Sequence, residues 1–205
     1  MLNRKFYYYS ALCILIGTFT LTAGYWLRPY IKKELIDELA DTTTLVSSIL
    51  VAAGTLILLC GLPAFFAKQY TSIGTSGLVA SGLTFIGIAA FHLGTIALYF
   101  VIPVLATHNT ATRQLIYSDQ PPFPLFALFW AITLFIQTVG LVWLGIKLWR
   151  ASRVPFIGSL LMIAGGLTLL CAPLISFELL KPATTIVMLS LAWCSVSLIN
   201  EPAKS

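Results

Sequence analysis

Long apolar stretches, separated by short polar connections, make up most of the chain. Six stretches are free of charged residues, and they cover residues 6–27, 42–67, 69–112, 120–146, 154–177 and 182–200. A helix needs about 20 apolar residues to cross the roughly 30 Å of a bilayer's hydrocarbon core. The apolar positions run consecutively and do not alternate with the period of two that a membrane β-barrel requires. The pattern therefore predicts transmembrane α-helices.

The third stretch is unusually long, with 44 uncharged residues. Its two ends are polar, so we predict one long helix over residues 73–105, tilted or slightly broken, rather than two crossings. The resulting fold class is an all-α, polytopic integral membrane protein, in which residues 1–205 form a single domain with six transmembrane helices in a bundle. The predicted spans are 6–27, 45–67, 73–105, 123–147, 155–177 and 182–200.

The connection between the first two spans has the pattern of a short amphipathic surface helix, over residues 29–41. Ile31, Leu35, Ile36 and Leu39 recur at helical spacing, and charged residues cover the other face. Such a helix lies at a membrane surface. It would serve as a lid on the bundle, or as a docking surface or gate.

Composition agrees with a membrane protein, because 59% of the residues are hydrophobic and only 9% are charged. A soluble domain carries about 25% charged residues. The net charge of +5 is explained better by cytoplasmic connections and anionic lipids than by nucleic acid. Lys147, Arg150 and Arg153 are the predicted contacts to lipid headgroups. The positive-inside rule then places both termini in the cytoplasm.

A few polar residues fall inside the predicted spans, where polar groups usually face the bundle or a cavity. His92, Thr95 and Tyr99 share one face of the third helix, and Gln137 lies near the centre of the fourth. His92 and Gln137 could form a hydrogen bond that only holds the two helices together. Alternatively, these residues would relay protons or recognise a polar ligand. A single histidine-ligated metal or haem is the third alternative.

No catalytic constellation is found in the sequence. There is no G-x-S-x-G, H-E-x-x-H, Walker or dinucleotide pattern. We therefore expect no catalytic residues, no metal site and no cofactor.

The connection before the fifth predicted span reads Leu148-Trp-Arg150-Ala-Ser-Arg153-Val-Pro155, and a helix containing Gly165-Gly166 follows it. This segment is similar to one in small uncharacterised bacterial membrane proteins, which are grouped as a domain of unknown function. The resemblance covers about a third of the chain. It implies six helices and a bacterial inner membrane, and it brings no activity and no functional residues.

Together these features predict a non-enzymatic multi-pass membrane protein. It would bind a partner or a lipid-like ligand, and its partners would be the bilayer, another membrane protein or a second copy of the chain. The alternative is a transport component, or a substrate-binding membrane subunit, with a central pocket around His92 and Gln137.

Overall fold

The structure is a computed structural model that describes residues 4–28, 42–97, 124–152 and 154–200, and these residues are helical apart from short connections. The helices are α1 (Arg4–Leu27), α2 (Thr42–Ile96), α3 (Pro124–Ala151), α4 (Phe156–Ile175), α5 (Leu180–Ser195) and α6 (Ser197–Asn200), with a 3₁₀ turn at Phe177–Leu179. The described residues contain no strand. The predicted amphipathic helix over residues 29–41 lies outside the described residues.

Five helical segments are long enough and apolar enough to cross a membrane: α1, α2, Leu128–Ala151, α4 and Leu180–Ile199. Their outer surfaces carry large apolar side chains. Leu174 is 83% exposed and Phe19 is 67% exposed, whereas interior positions hold hydroxyl groups such as those of Thr44 and Ser190. A soluble protein would not present such an outer surface to water. The arrangement is that of an integral membrane protein.

The longest helix, α2, reverses direction at Gly74. This residue has φ 66° and ψ −172°, a conformation that only glycine adopts without strain. A straight helix of this length would extend about 80 Å, yet Ile96 at one end lines the same cleft as Leu45 and Ile49 at the other. Residues 42–73, the first arm, and residues 75–96, the second arm, therefore lie side by side.

The helices form a closed ring in which α2 occupies two neighbouring places. The first arm packs on α1 and the second arm packs on α3, while α4 lies between α3 and α5, and α5 closes the ring against α1. Each neighbouring pair is antiparallel, as the contacts of Gly158 with Cys194 and of Gly165 with Val187 show for α4 and α5. The short connections from α3 to α4 and from α4 to α5 impose this arrangement on those three helices.

Glycines spaced seven residues apart bring α1 and the first arm into close contact. They are Gly17 and Gly24 on α1, and Gly54 and Gly61 on the first arm. A Cβ built on Gly17 would lie 2.5 Å from the backbone nitrogen of Leu58, and one on Gly54 would lie 2.5 Å from that of Leu21. Small residues allow membrane helices to approach in this way. The close packing of α1 on the first arm therefore depends on glycine, which has no side chain, at these four positions.

The ends of some predicted spans differ from the ends of the observed helices. We predicted that the second span ends at Ala67, before the charge of Lys68, but the first arm continues to residue 73. The Lys68 ammonium donates hydrogen bonds to the carbonyl oxygens of Ser197 (3.0 Å) and Leu198 (3.2 Å). Because its charge is bound to these carbonyls, Lys68 does not end the helix. The predicted third span begins at residue 73, beside Gly74, and its last residues, 98–105, lie outside the described residues.

We expect Gly54→Ala to lower stability and Gly82→Ala to leave it unchanged or slightly higher. A methyl group at residue 54 meets the backbone of α1, whereas one at residue 82 meets no atom within 4 Å. Overpacking costs about 1–3 kcal/mol, and alanine gains up to about 1 kcal/mol over glycine in a helix. Unfolding of both variants in one detergent measures the difference. Equal stability of the two variants would contradict the close contact between α1 and the first arm.

Candidate functional site

The residues with the most unusual environment lie at the end of the bundle where α1 finishes. Tyr25 Oη and His92 Nδ1 are 2.8 Å apart, at hydrogen-bond distance, and both side chains are buried. The rings meet edge to face, with their centroids 5.6 Å apart. The contact joins α1 to the second arm across the interior of the ring. The sequence pattern gives no sign that these two residues pair.

The reversal at Gly74 explains why Tyr25 and His92 meet. The second arm runs parallel to α1, so the final turns of both helices reach the same end of the bundle. Tyr25 lies two residues before the end of α1, and His92 lies four residues before the end of α2. We expected His92 near mid-membrane, because the predicted span continued to residue 105. The observed position is near one end of the described helix.

The other half of the His92 ring is unpaired. Its Nε2 atom is buried and has no hydrogen-bond partner among the described residues. Next to His92, the ring of Phe91 packs against that of Trp130 on α3, with their centroids 5.4 Å apart. A buried nitrogen without a partner costs about 1–3 kcal/mol, so this atom is a candidate for ligand contact.

The hydrogen bond suggested between His92 and Gln137 is not formed. Gln137 is buried and packs its Cα against Gly87, about one and a half helical turns from His92, and its Oε1 atom has no partner among the described residues. Thr95 donates to the carbonyl oxygen of Phe91 on its own helix, at 2.7 Å. Tyr99 lies outside the described residues. The described members of the predicted polar set are therefore not hydrogen-bonded to one another.

A cleft of about 170 Å³ opens between the two arms of α2, close to the same end of the bundle. It is lined by Leu45, Ser48, Ile49, Ala52 and Ile96. Four of these side chains are aliphatic, and none is charged. An apolar cavity of about 150 Å³ is large enough to bind benzene, so the cleft has room for a small apolar group.

Ser48 gives the cleft its one polar group. The residue is 3% exposed, and its Oγ atom has no hydrogen-bond partner among the described residues. Most other buried hydroxyls satisfy themselves by donating to a carbonyl three or four residues earlier, as Thr55 does to Val51 and Ser81 does to Gly77. Ser48 makes no such bond among the described residues, and its hydroxyl oxygen is buried beneath the apolar surface of the cleft.

Charged residues lie at both ends of the bundle but in unequal number. The end that holds the N-terminus carries five of the described cations and none of the described acids: Arg4, Lys5, Lys68, Lys147 and Arg150. Arg150 is exposed and Lys147 is half-buried, while Arg153 lies outside the described residues. Lys147 and Arg150, two of the three predicted headgroup contacts, therefore lie at the same end of the bundle as the N-terminus.

The opposite end carries Arg28, Lys181 and Glu178. Arg28 and Lys181 are both buried, and the Lys181 ammonium donates to the Arg28 carbonyl oxygen. Nearby, the Trp26 indole donates to Thr185 at 3.0 Å. These contacts attach the end of α1, where Tyr25 lies, to the start of α5.

Within the part of the chain that the structure describes, no group of three histidine, cysteine or acidic side chains comes together as metal ligands do. Glu178 is the one acidic residue described, and it is exposed. The candidate site therefore consists of a buried histidine, a tyrosine, hydroxyl groups and an apolar cleft.

Comparisons with known proteins return no match to a family model, to a curated protein or to a solved structure. Any statement on function must therefore start from the geometry of this chain.

We expect Tyr25→Phe to lower the free energy of unfolding by about 1–2 kcal/mol, because both nitrogens of His92 would then be without a partner. His92→Leu should cost less in the Tyr25→Phe background than in the wild type, since the shared hydrogen bond is already gone. Tyr8→Phe is the matched control, because Tyr8 is 49% exposed. Detergent unfolding of the double-mutant cycle measures the coupling. A cycle that is strictly additive would show that the pair makes no contribution.

Proposed function

We propose that the chain crosses the membrane six times, with both termini in the cytoplasm. The reversal at Gly74 supports this count, because each arm of α2 is long enough to cross by itself. The excess of described cations at the N-terminal end supports the orientation by the positive-inside rule. The resemblance to small bacterial membrane proteins supports a bacterial inner membrane as the location.

We further propose that the protein is not an enzyme and that it binds a lipid-like ligand. The cleft between the arms of α2 carries this proposal. It lies on a membrane-spanning helix and is lined by four aliphatic side chains and Ser48. Small-ligand sites are likewise concave and mostly apolar.

A transport component with a polar pocket is the second candidate. The unpaired Nε2 of His92 and Oε1 of Gln137 favour it, because polar groups buried in a membrane bundle often mark a pathway. Other buried hydroxyls lack partners in the described part of the chain; they belong to Thr138 on α3, Ser159 on α4 and Thr184 on α5. The distance between Gln137 and His92 along the bundle makes a single compact pocket a weaker interpretation than the cleft.

We expect Ala52→Trp to remove copurifying lipid, because the indole would fill the cleft. Protein extracted in mild detergent and washed would be analysed by native mass spectrometry. The wild type should retain lipid on most molecules, and the variant at least fivefold less. Leu56→Trp is the control, since Leu56 lies one turn further on the same helix and is 61% exposed outside the cleft.

Equal lipid retention by wild type, Ala52→Trp and Leu56→Trp would overturn the binding proposal. A melting temperature for each variant shows whether the fold is intact. If Ala52→Trp is unstable, Ala52→Leu gives a milder obstruction of the same cleft. A copurifying protein that is lost from the His92→Leu variant would instead favour a subunit role.

A further inference from the structure

We infer that the first two turns of α1 bind the phosphate of an anionic phospholipid. An open depression at this place is lined by two cations and two tyrosines: Arg4, Lys5, Tyr8 and Tyr9. These four residues are called the headgroup surface. They lie at the N-terminal end of the bundle, whereas the cleft between the arms of α2 lies near the opposite end. Binding at the headgroup surface is therefore independent of the proposed binding in the cleft.

The side chains of the headgroup surface are accessible from outside the protein. Arg4 and Lys5 are exposed, and the two tyrosines are 49% and 61% exposed. Positions 4, 5, 8 and 9 share one side of a helix. Ile16 and Phe19 continue this side, and they are 53% and 67% exposed. The headgroup surface therefore faces lipid, and an acidic protein segment would match its cations but not the apolar side chains that follow.

The residues on this side of α1 follow the same order as the parts of a phospholipid. The cations begin the helix at Arg4, and the tyrosines follow one turn later, about 6 Å along the helix axis. The rings of Tyr8 and Tyr9 meet edge to face, with their centroids 6.0 Å apart, and tyrosine favours the boundary between headgroups and acyl chains. A lipid whose phosphate contacts the cations therefore places its ester groups beside the tyrosines and an acyl chain along Ile16 and Phe19.

The charge around the headgroup surface favours an anionic lipid. Five of the described cations and none of the described acids lie at this end of the bundle. One of them, Lys68, has its ammonium 5.6 Å from the ring centroid of Tyr7, the residue before the tyrosine pair. A guanidinium offers paired donors that match phosphate oxygens, so Arg4 is the principal contact. A zwitterionic headgroup adds a cation, which these residues repel.

The test uses full-length protein that has been washed in mild detergent. Because the headgroup surface is open, its lipid exchanges and is washed off, so lipid is added back. Native mass spectrometry measures the binding of added dioleoyl phosphatidylglycerol, dioleoyl phosphatidylcholine and, as a phosphate without acyl chains, glycerol phosphate. Each cation near a membrane surface strengthens the attraction of anionic lipid about fivefold. We expect half-maximal binding of phosphatidylglycerol at a concentration roughly tenfold lower than that of phosphatidylcholine, and no binding of glycerol phosphate in the same range.

Arg4→Gln/Lys5→Gln should reduce the preference for phosphatidylglycerol to within about twofold, because both cations of the surface are gone. Arg4→Lys/Lys5→Arg is the matched control, since it keeps both charges and should keep the preference. The exposed positions predict unchanged melting temperatures for both variants. A third variant adds Trp149→Lys and Ser152→Lys to Arg4→Gln/Lys5→Gln, which returns the net charge at exposed positions near the end of α3. It should not regain the preference.

Equal affinity of the wild type for the two lipids would show that the headgroup surface does not select an anion. Tighter binding of phosphatidylcholine would show that the tyrosines recognise the choline cation instead, and either result overturns the inference. A preference that survives in Arg4→Gln/Lys5→Gln, or returns in the third variant, would belong to the total charge and not to this surface. Glycerol phosphate that binds as tightly as phosphatidylglycerol would identify a site for soluble phosphate. None of these results bears on the cleft, which is tested separately by Ala52→Trp.

Discussion

The reversal of the chain at Gly74 is the constraint on which the other features of this bundle depend. A positive φ lets the helix turn back without a separate polar loop. The second arm is then parallel to α1, which brings His92 to the same end as Tyr25. The same reversal places Ile96 beside Leu45, and the cleft exists only because these two arms lie together. One backbone conformation therefore determines both the buried polar contact and the candidate ligand site.

Packing within the ring follows from the properties of the bilayer. Lipid tails are as apolar as leucine, so burying aliphatic side chains gives little driving force for helix association there. Close contact at glycines supplies it instead: the backbones of α1 and the first arm meet at Gly17 and Gly54, and the second arm meets α3 at Gly87. Most interior hydroxyls donate to their own helix. Ser48 is one of five exceptions, because its buried hydroxyl has no partner among the described residues.

The sequence predicts the helical class and most helix positions, because absence of charge over about 20 residues is a strong signal. It separates the two arms, because the predicted second span ends at residue 67 and the third begins at residue 73, but it does not identify Gly74, one glycine among 14, as the turning residue. Lys68 misled the prediction of the second span, because its partners, the carbonyls of Ser197 and Leu198, come from the far end of the chain. The pairing of Tyr25 with His92 was missed because it depends on the direction of the second arm relative to α1, and the two residues are 67 positions apart. The seven-residue spacing of Gly17, Gly24, Gly54 and Gly61 was present as a signal for close helix packing.

Side-specific labelling of single cysteines tests the reversal most directly. In a variant with the four native cysteines replaced, a membrane-impermeant maleimide is applied from either face to Thr75→Cys, beside Gly74, and to Arg150→Cys, Thr42→Cys and Glu178→Cys, which are all exposed positions. We predict that residues 75 and 150 react from one face, and residues 42 and 178 from the other. Labelling of residue 75 from the same face as residue 42, or from neither face, would contradict the reversal and with it the proposed six crossings.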